Sequence, residues 1–356
     1  MARKRKGSMI SMETNKRSRQ IRTSDAQKSS MLFQIPQELR DMIYTQLFIN
    51  TRLSHGHRVF PAANALSILR TCRRARAEIG DSWLGQVLFH FNNVDTMLTK
   101  LAALPMAALS KIRHMRILWE TLKFEFAHGA SRYYRIVHFL KLLPGLRLDT
   151  LTVIDTYNSR RSYDILNMLI RYSQGWKELR FISGYTSLLE FPPEEDRSIR
   201  EAVDITDRYQ RKPQPADWIN VMKGRDGVAS EPSVAIYYSI LRSRYCTVTN
   251  EAIREKYGEE PGAEDRLSRY LQYAPLMTFD ERNKEFMVVV RRGRGIDYQE
   301  KLGSPFLAID DIRQDCPGMS WAEIKKQYTD RADDSNDSDA LKSQDVYNHP
   351  DEYLWE

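Results

Sequence analysis

The chain has 356 residues, 42% of them hydrophobic and 28% charged, with a formal net charge of +7. No apolar run approaches the ~20 residues that span a bilayer, and the 3 cysteines are too few to staple a secreted scaffold. A polytopic membrane protein and a disulfide framework are therefore excluded. What is predicted is a soluble intracellular protein of about two domains.

The charge is concentrated at the ends. Residues 1–30 hold nine basic side chains against Glu13 and Asp25, so this arm alone carries +7. Residues 330–356 hold nine acids against Arg331 and Lys342, a balance of −7. Such ends read as disordered arms and not as a folded basic face. The basic arm has almost nothing apolar to bury. Its two clusters, Arg3-Lys4-Arg5-Lys6 and Lys16-Arg17-Ser18-Arg19, have the form of a bipartite nuclear import signal. An importin reads such clusters by ion pairs along an extended segment, so a nuclear or nucleocytoplasmic protein is expected. A solvated basic tail is the alternative.

The fold should begin at Met31. Apolar groups at Leu39, Met42, Ile43 and Leu47 share one helical face. Pro36 suits a first helical position, and Glu38 and Asp41 complement the helix dipole. A loop is predicted over 50–64, then a second helix over 65–79. Its apolar stripe is Ile68, Leu69, Cys72, Ala75 and Ile79, and its other face carries Arg70, Arg73, Arg74 and Arg76. A short strand at 87–91 and a helix at 95–104 follow.

From Lys111 strands and helices alternate. Strands are predicted at 112–118, 148–154 and 179–182, and helices at 133–143 and 163–172. Strands separated by 10–15-residue helices point to parallel βαβ units. The run Leu143-x-x-Leu146-x-Leu148-x-x-Leu151-x-Val153 resembles a leucine-rich repeat strand, with irregular spacing. Beyond Pro192-Pro193, helices are expected at 194–209, 250–257 and 264–273, with a strand at 234–238. A hairpin pairs 276–279 with 285–291, and a last helix starts at the capping box Ser320-x-x-Glu323. The expected fold class is α+β or α/β. It comprises a disordered basic arm (1–30), a small helical head (31–105), a βαβαβ leucine-rich-like body (106–190), a mixed C-terminal part (191–329) and a disordered acidic tail (330–356).

No catalytic constellation is present in the sequence. There is no phosphate-binding loop and no nucleophile elbow. Arg292-Gly293-Arg294-Gly295 follows a strand without opening a helix and reads as a turn. Cys72, Cys246 and Cys316 lack zinc spacing, and His55-Gly56-His57 has no nearby ligand partner. The pairs Glu194-Glu195 and Asp310-Asp311 read as helix-end solvation. No enzyme activity, cofactor or metal is therefore expected. Ser335 and Ser338 lie among acids and are candidate phosphorylation sites.

Ile35-Pro36-x-Glu38-Leu39-x-x-x-Ile43-x-x-x-Leu47, followed by Leu69-Arg70-Thr71-Cys72-Arg73-x-x-Arg76-x-Glu78, resembles F-box domains. It resembles most closely the F-box-like N-terminal segment of a large group of filamentous-fungal proteins. The resemblance covers about 50 residues well and extends loosely to residue 120. It implies a small helical module that docks on the Skp-type linker of a cullin–RING ubiquitin ligase, while the rest of the chain holds a protein substrate. By position, Ile35, Pro36, Leu39, Ile43 and Leu47 would form the docking face, as one helix offers apolar anchors to a groove. Ile stands at 35 where the family has Leu, the 50–64 segment is longer than in a compact F-box, and the second helix is strongly basic. The same apolar residues could instead pack into the chain's own core. The alternative function is a nuclear protein- or nucleic-acid-binding scaffold with no ligase role. Residues 31–356 sum to no net charge, which argues against nucleic acid, where phosphate neutralisation dominates affinity.

Overall fold

A computed structural model of the chain describes residues 30–54, 58–60, 65–118, 121–125, 131–155, 160–184, 216–239, 247–256, 284–307 and 310–329. The expected arm and tail, the helices at 194–209 and 264–273, and the 276–279 arm of the hairpin lie outside these residues. The chain divides into two compact units, Met1–Ile43 and Tyr44–Glu356.

In the first unit a helical turn, Met31–Gln34, ends at Ile35, whose backbone is extended (φ −78°, ψ 153°). Pro36 enforces this, because its ring disfavours helical geometry at the preceding residue. Arg40 Nη1 donates to the Ile35 carbonyl at 2.6 Å, and its guanidinium lies 5.7 Å from the centre of the Phe33 ring. Helix α1, Gln37–Ile49, starts one residue beyond the proline.

The second unit is built on a nine-stranded mixed sheet. Its strands are β1 (Arg52–Ser54), β2 (Arg58–Phe60), β3 (Leu88–Phe91), β4 (His114–Leu118), β7 (Leu148–Asp155), β8 (Trp176–Ser183), β9 (Ser233–Ser239), β10 (Arg254–Lys256) and β11 (Phe286–Arg291). A separate hairpin is formed by β5 (Leu122–Glu125) and β6 (Ser131–Tyr134). The spatial order is β10-β9-β11-β8-β7-β4-β3-β1-β2. From β1 through β3, β4 and β7 to β8 each strand pairs in parallel with its neighbour, in chain order. β11, β9, β10 and β2 close the two sides in antiparallel pairing.

Register explains the composition of the strands. Phe89, Met115, Leu151, Leu179, Val290 and Val234 form one cross-strand row, and Phe91, Ile117, Val153, Phe181, Val288 and Ile236 form another two residues on. Both rows lie on the same face because side chains alternate with period two. Every one of these residues is buried. On the opposite face Leu118, Ile154, Ile182, Met287 and Val289 form a second cluster with Val248. Burial on both faces is what makes β11 read as a nearly continuous apolar run.

Helix α6, Arg160–Tyr172, connects β7 to β8. It buries Tyr163, Ile165, Leu166, Leu169 and Ile170 at 3% exposure or less. The segment 298–300 crosses the entries to β7 and β8. Gly145 N–H donates to the Glu300 carbonyl at 2.7 Å and Gly175 N–H to the Tyr298 carbonyl at 2.6 Å. Gly145 has φ +96°, and a Cβ there would come within 2.3 Å of Met106. Only glycine allows that close approach with a positive φ.

Several sequence expectations are corrected. The 50–64 loop contains β1 and β2, because Leu53 and Ser54 pair with Phe89 and His90, a partner 36 residues away. The helix predicted over 65–79 is broken. A 3-10 turn, Ala65–Ser67, leads into α2, Ile68–Thr71, and Cys72 then turns extended (φ −157°) to cap α3, Arg73–Ile79. Its Sγ accepts from Ala75 N–H at 3.3 Å, the role a serine plays at an N-cap. The helix predicted over 133–143 is shorter, because Tyr133 and Tyr134 pair with Lys123 and Leu122, and α5 runs only over Ile136–Leu140. Of the helix predicted over 250–257, the described residues form a 3-10 turn, Glu251–Ile253, and β10 instead. The hairpin partner assigned to 285–291 is replaced: β11 has β8 on one edge and β9 on the other, which leaves no free edge.

Other expectations hold. α4, Val94–Leu101, is capped by Asn93 and covers the predicted 95–104 helix apart from its end. The Ser320–Glu323 capping box opens α9, Trp321–Ile324, after α8, Ile312–Asp315. Helix α7, Ala216–Asp226, has no counterpart in the sequence expectations. The 31–105, 106–190 and 191–329 stretches all contribute strands to the one sheet.

Candidate partner-binding surface

Helix α1 presents its residues unevenly. Tyr44 and Phe48 are buried at 4% and 0%, whereas Leu39, Met42 and Ile43 are 48%, 63% and 46% exposed. Positions 39, 42 and 43 adjoin on one helical surface. A surface helix ordinarily turns such a stripe inward. Of the five residues read as a docking face, Leu39, Ile43 and Pro36 are exposed, and Ile35 and Leu47 are half-buried. Met42 belongs with the exposed group, and it is the most exposed of the three.

The C-terminal half of α1 is tied to α3. Tyr44 Oη donates to Glu78 at 3.3 Å, and Arg74 Nε donates to the other Glu78 oxygen at 2.9 Å. Glu78 and Cys72 of the F-box-like pattern therefore serve as an inter-helix link and a helix cap. Sequence reasoning assigned neither role, since the link needs Tyr44, 34 residues from Glu78, and the cap needs an extended backbone at Cys72. Arg70, Arg73 and Arg76 project from the same two short helices and are exposed. Among the described residues, none of these three side chains has an ion pair or hydrogen bond.

Several other charged groups form internal ties. Asp226 accepts two bonds from Arg292 Nε, at 2.9 and 2.8 Å, and one from Gly293 N–H at 2.8 Å. Both partners of this pair are almost wholly buried. The Arg292-Gly293-Arg294-Gly295 stretch is thus a turn anchored from within, not a phosphate cradle, and a Cβ at Gly293 would fall 1.9 Å from Ser230 Oγ. Arg225 donates to the Ile170 and Ser173 carbonyls at the C-terminal end of α6. Burial pulls its guanidinium down to about 10. Lys141 and Glu300 form a second buried pair at 3.1 Å.

Asp311, of the Asp310-Asp311 pair, is buried and caps α8. Burial pushes its carboxyl up, but hydrogen bonds from Arg313 and from the Leu307 and Arg313 amides outweigh this and hold it below the usual range. Cys316 is buried beside Asp315, and burial first, then that carboxylate, raises its thiol to about 11. Such a thiol is inert. Burial lowers His138 to about 4, and its Nδ1 accepts from Arg135 N–H at 2.8 Å. Apart from the inert Cys316 thiol, these groups have structural partners, and their chemistry is that of cross-braces.

Cys246, His55-Gly56-His57, Glu194-Glu195, the import clusters at Arg3, Lys4, Arg5, Lys6, Lys16, Arg17 and Arg19, and Ser335 and Ser338 all lie outside the described residues. Among the described residues no group of three or more His, Cys, Asp or Glu side chains could hold a metal ion. No helix among them is long and apolar enough to cross a membrane. No family model, curated protein or solved structure matches the chain.

Proposed function

We propose that the chain is an F-box-like protein-interaction adaptor that serves as a substrate-recognition subunit of a cullin–RING ubiquitin ligase. The observation that carries this reading is the exposure of Leu39, Met42 and Ile43 on α1. A helix that keeps three adjoining apolar side chains in water is suited to lying in a partner's groove. The Skp-type linker is the partner, with Ile35, Pro36 and Leu47 at the margins of the contact. The stretch 106–190, with its parallel strands β4, β7 and β8, serves as the leucine-rich-like body, and the part of the chain beyond the F-box-like head holds a protein substrate. The protein carries out no reaction of its own. Its basic arm engages an importin, which makes it nuclear or nucleocytoplasmic.

The test is co-purification of the full-length chain with the Skp-type linker and cullin. Leu39→Asp combined with Ile43→Asp should abolish capture while the circular dichroism spectrum stays unchanged. Failure of the unaltered chain to bind the linker would overturn the reading.

A further inference from the structure

Arg70, Arg73 and Arg76 are a cluster of three cations with no ion pair among the described residues. All three are exposed, and they lie within seven residues. Arg73 and Arg76 are one turn apart on α3, where like charges repel. Glu78, the sole acid on α3, is already engaged by Arg74 and Tyr44. Ala75 and Ile79 bury the opposite side of α3 and hold the helix in place. The result is a fixed array of guanidinium groups with no anion assigned to it. Guanidinium groups of this kind recognise carboxylates and phosphates by paired hydrogen bonds.

The matching charge is in the same chain. Residues 330–356 carry nine acids against two bases, and Asp333, Asp334, Asp337 and Asp339 are concentrated in seven positions. This segment follows directly on Thr329, the last described residue. Its point of departure is pinned to α4: Trp321 Nε1 donates to Thr99 Oγ1 at 3.3 Å, and Lys325 pairs with Asp95 at 2.8 Å. α3 and α4 flank the same strand, β3, in the chain. An extended run of 27 residues can span up to roughly 90 Å. Tethering gives such a segment a millimolar effective concentration at a nearby site.

We propose that the acidic segment 330–356 pairs in cis with Arg70, Arg73 and Arg76 and shields this face from other anionic partners. Phosphate on Ser335 or Ser338 would strengthen the pairing, since each adds about −1.5 to −2 charge and three acceptor oxygens. The inference stands apart from linker docking by α1, because it rests on different residues and a different interaction.

The test is arginine footprinting of the full-length chain with a phenylglyoxal-type dicarbonyl, read by mass spectrometry. The comparison is a full-length chain with Asp333→Asn, Asp334→Asn, Asp337→Asn and Asp339→Asn. At about 0.02 M salt, Arg70, Arg73 and Arg76 should react at least about three-fold more slowly in the unaltered chain, and at about 1 M salt the difference should vanish. Arg294, which is 88% exposed, serves as the internal control and should react equally in both. Equal rates at the three arginines in both chains at low salt would overturn the proposal. So would protection that survives neutralisation of the acids, which would mean that another anion covers the face. Protection that disappears on dilution would assign the contact to a second copy and overturn the cis pairing.

Discussion

Helices α1 and α6 are both 13 residues long, yet they use their apolar residues in opposite ways. α6 turns Tyr163, Ile165, Leu166, Leu169 and Ile170 entirely inward. α1 commits only Tyr44 and Phe48 to the interior and leaves Leu39, Met42 and Ile43 in water. Amphipathic periodicity alone does not distinguish the two. A crossover helix between adjacent parallel strands has a sheet to cover, so its stripe must be internal. A helix at the start of the fold has no such obligation, and its stripe is available to another molecule.

The largest effect that would break this contrast is at the anchor of α1. Phe48→Ala should destabilise the fold by about 3–5 kcal/mol, from lost transfer energy plus the cavity. Chemical denaturation followed by tryptophan fluorescence will measure it. If Phe48→Ala costs less than about 1 kcal/mol, α1 is not anchored through that residue.

Leu166→Ala in α6 should cost about 2–5 kcal/mol by the same mechanism. The informative quantity is its difference from Leu39→Ala in α1, measured under identical conditions. Similar losses at the two leucines would remove the distinction between an internal and an external stripe.

Acid should loosen the α6 side selectively, because His138 lies in α5, which packs on α6. Burial holds the ring at about 4 against an ordinary 6.5. The unfolded ring therefore takes up its proton at higher pH than the folded one. Stability from this group is complete above about pH 6.5 and is lost as pH falls toward about 4, with an upper bound of about 3 kcal/mol. His138→Asn places an amide oxygen where Nδ1 accepts from Arg135 N–H. It should flatten the dependence of the denaturation midpoint on pH between 4 and 6.5, and an unchanged slope would assign the acid sensitivity to other groups.

The smallest effect on stability sharpens the contrast most. Met42→Lys, at the most exposed apolar position of α1, should change stability by no more than about 0.5 kcal/mol. The same substitution should weaken linker capture at least about ten-fold, since a charge at the centre of an apolar contact is costly to desolvate. A large stability loss with unchanged capture would make Met42 a core residue.

Much of the parallel part of the sheet was legible in the sequence. β4, β7 and β8, with α6 between the last two, lie within a few residues of their predicted positions. Their apolar runs are local and bounded by Gly145 and Gly175. The break at Cys72 was not legible, because a helix cap by a thiol depends on one backbone rotation. β1 and β2 were not legible either, since three-residue strands have no periodicity and exist only through pairing, β1 with β3 and β2 with β1. On the candidate surface, the apolar spacing of Leu39, Met42, Ile43 and Leu47 was plain, but spacing cannot say which way a stripe faces.

By itself the sequence determined the charge segregation, the absence of a familiar catalytic motif, the alternation of strand and helix from 111 to 183, and the capping box at Ser320. These are local properties, set by neighbouring residues and by composition. Only the tertiary structure decided that β11 inserts between β8 and β9, that Asp226 and Arg292 meet across 66 residues, and that Glu78 joins α1 to α3. It also decided that Leu39, Met42 and Ile43 face solvent while Arg70, Arg73 and Arg76 make no ion pair among the described residues. Pairing, burial and exposure depend on what else occupies the space around a residue, and that follows from long-range contacts, which no local pattern encodes.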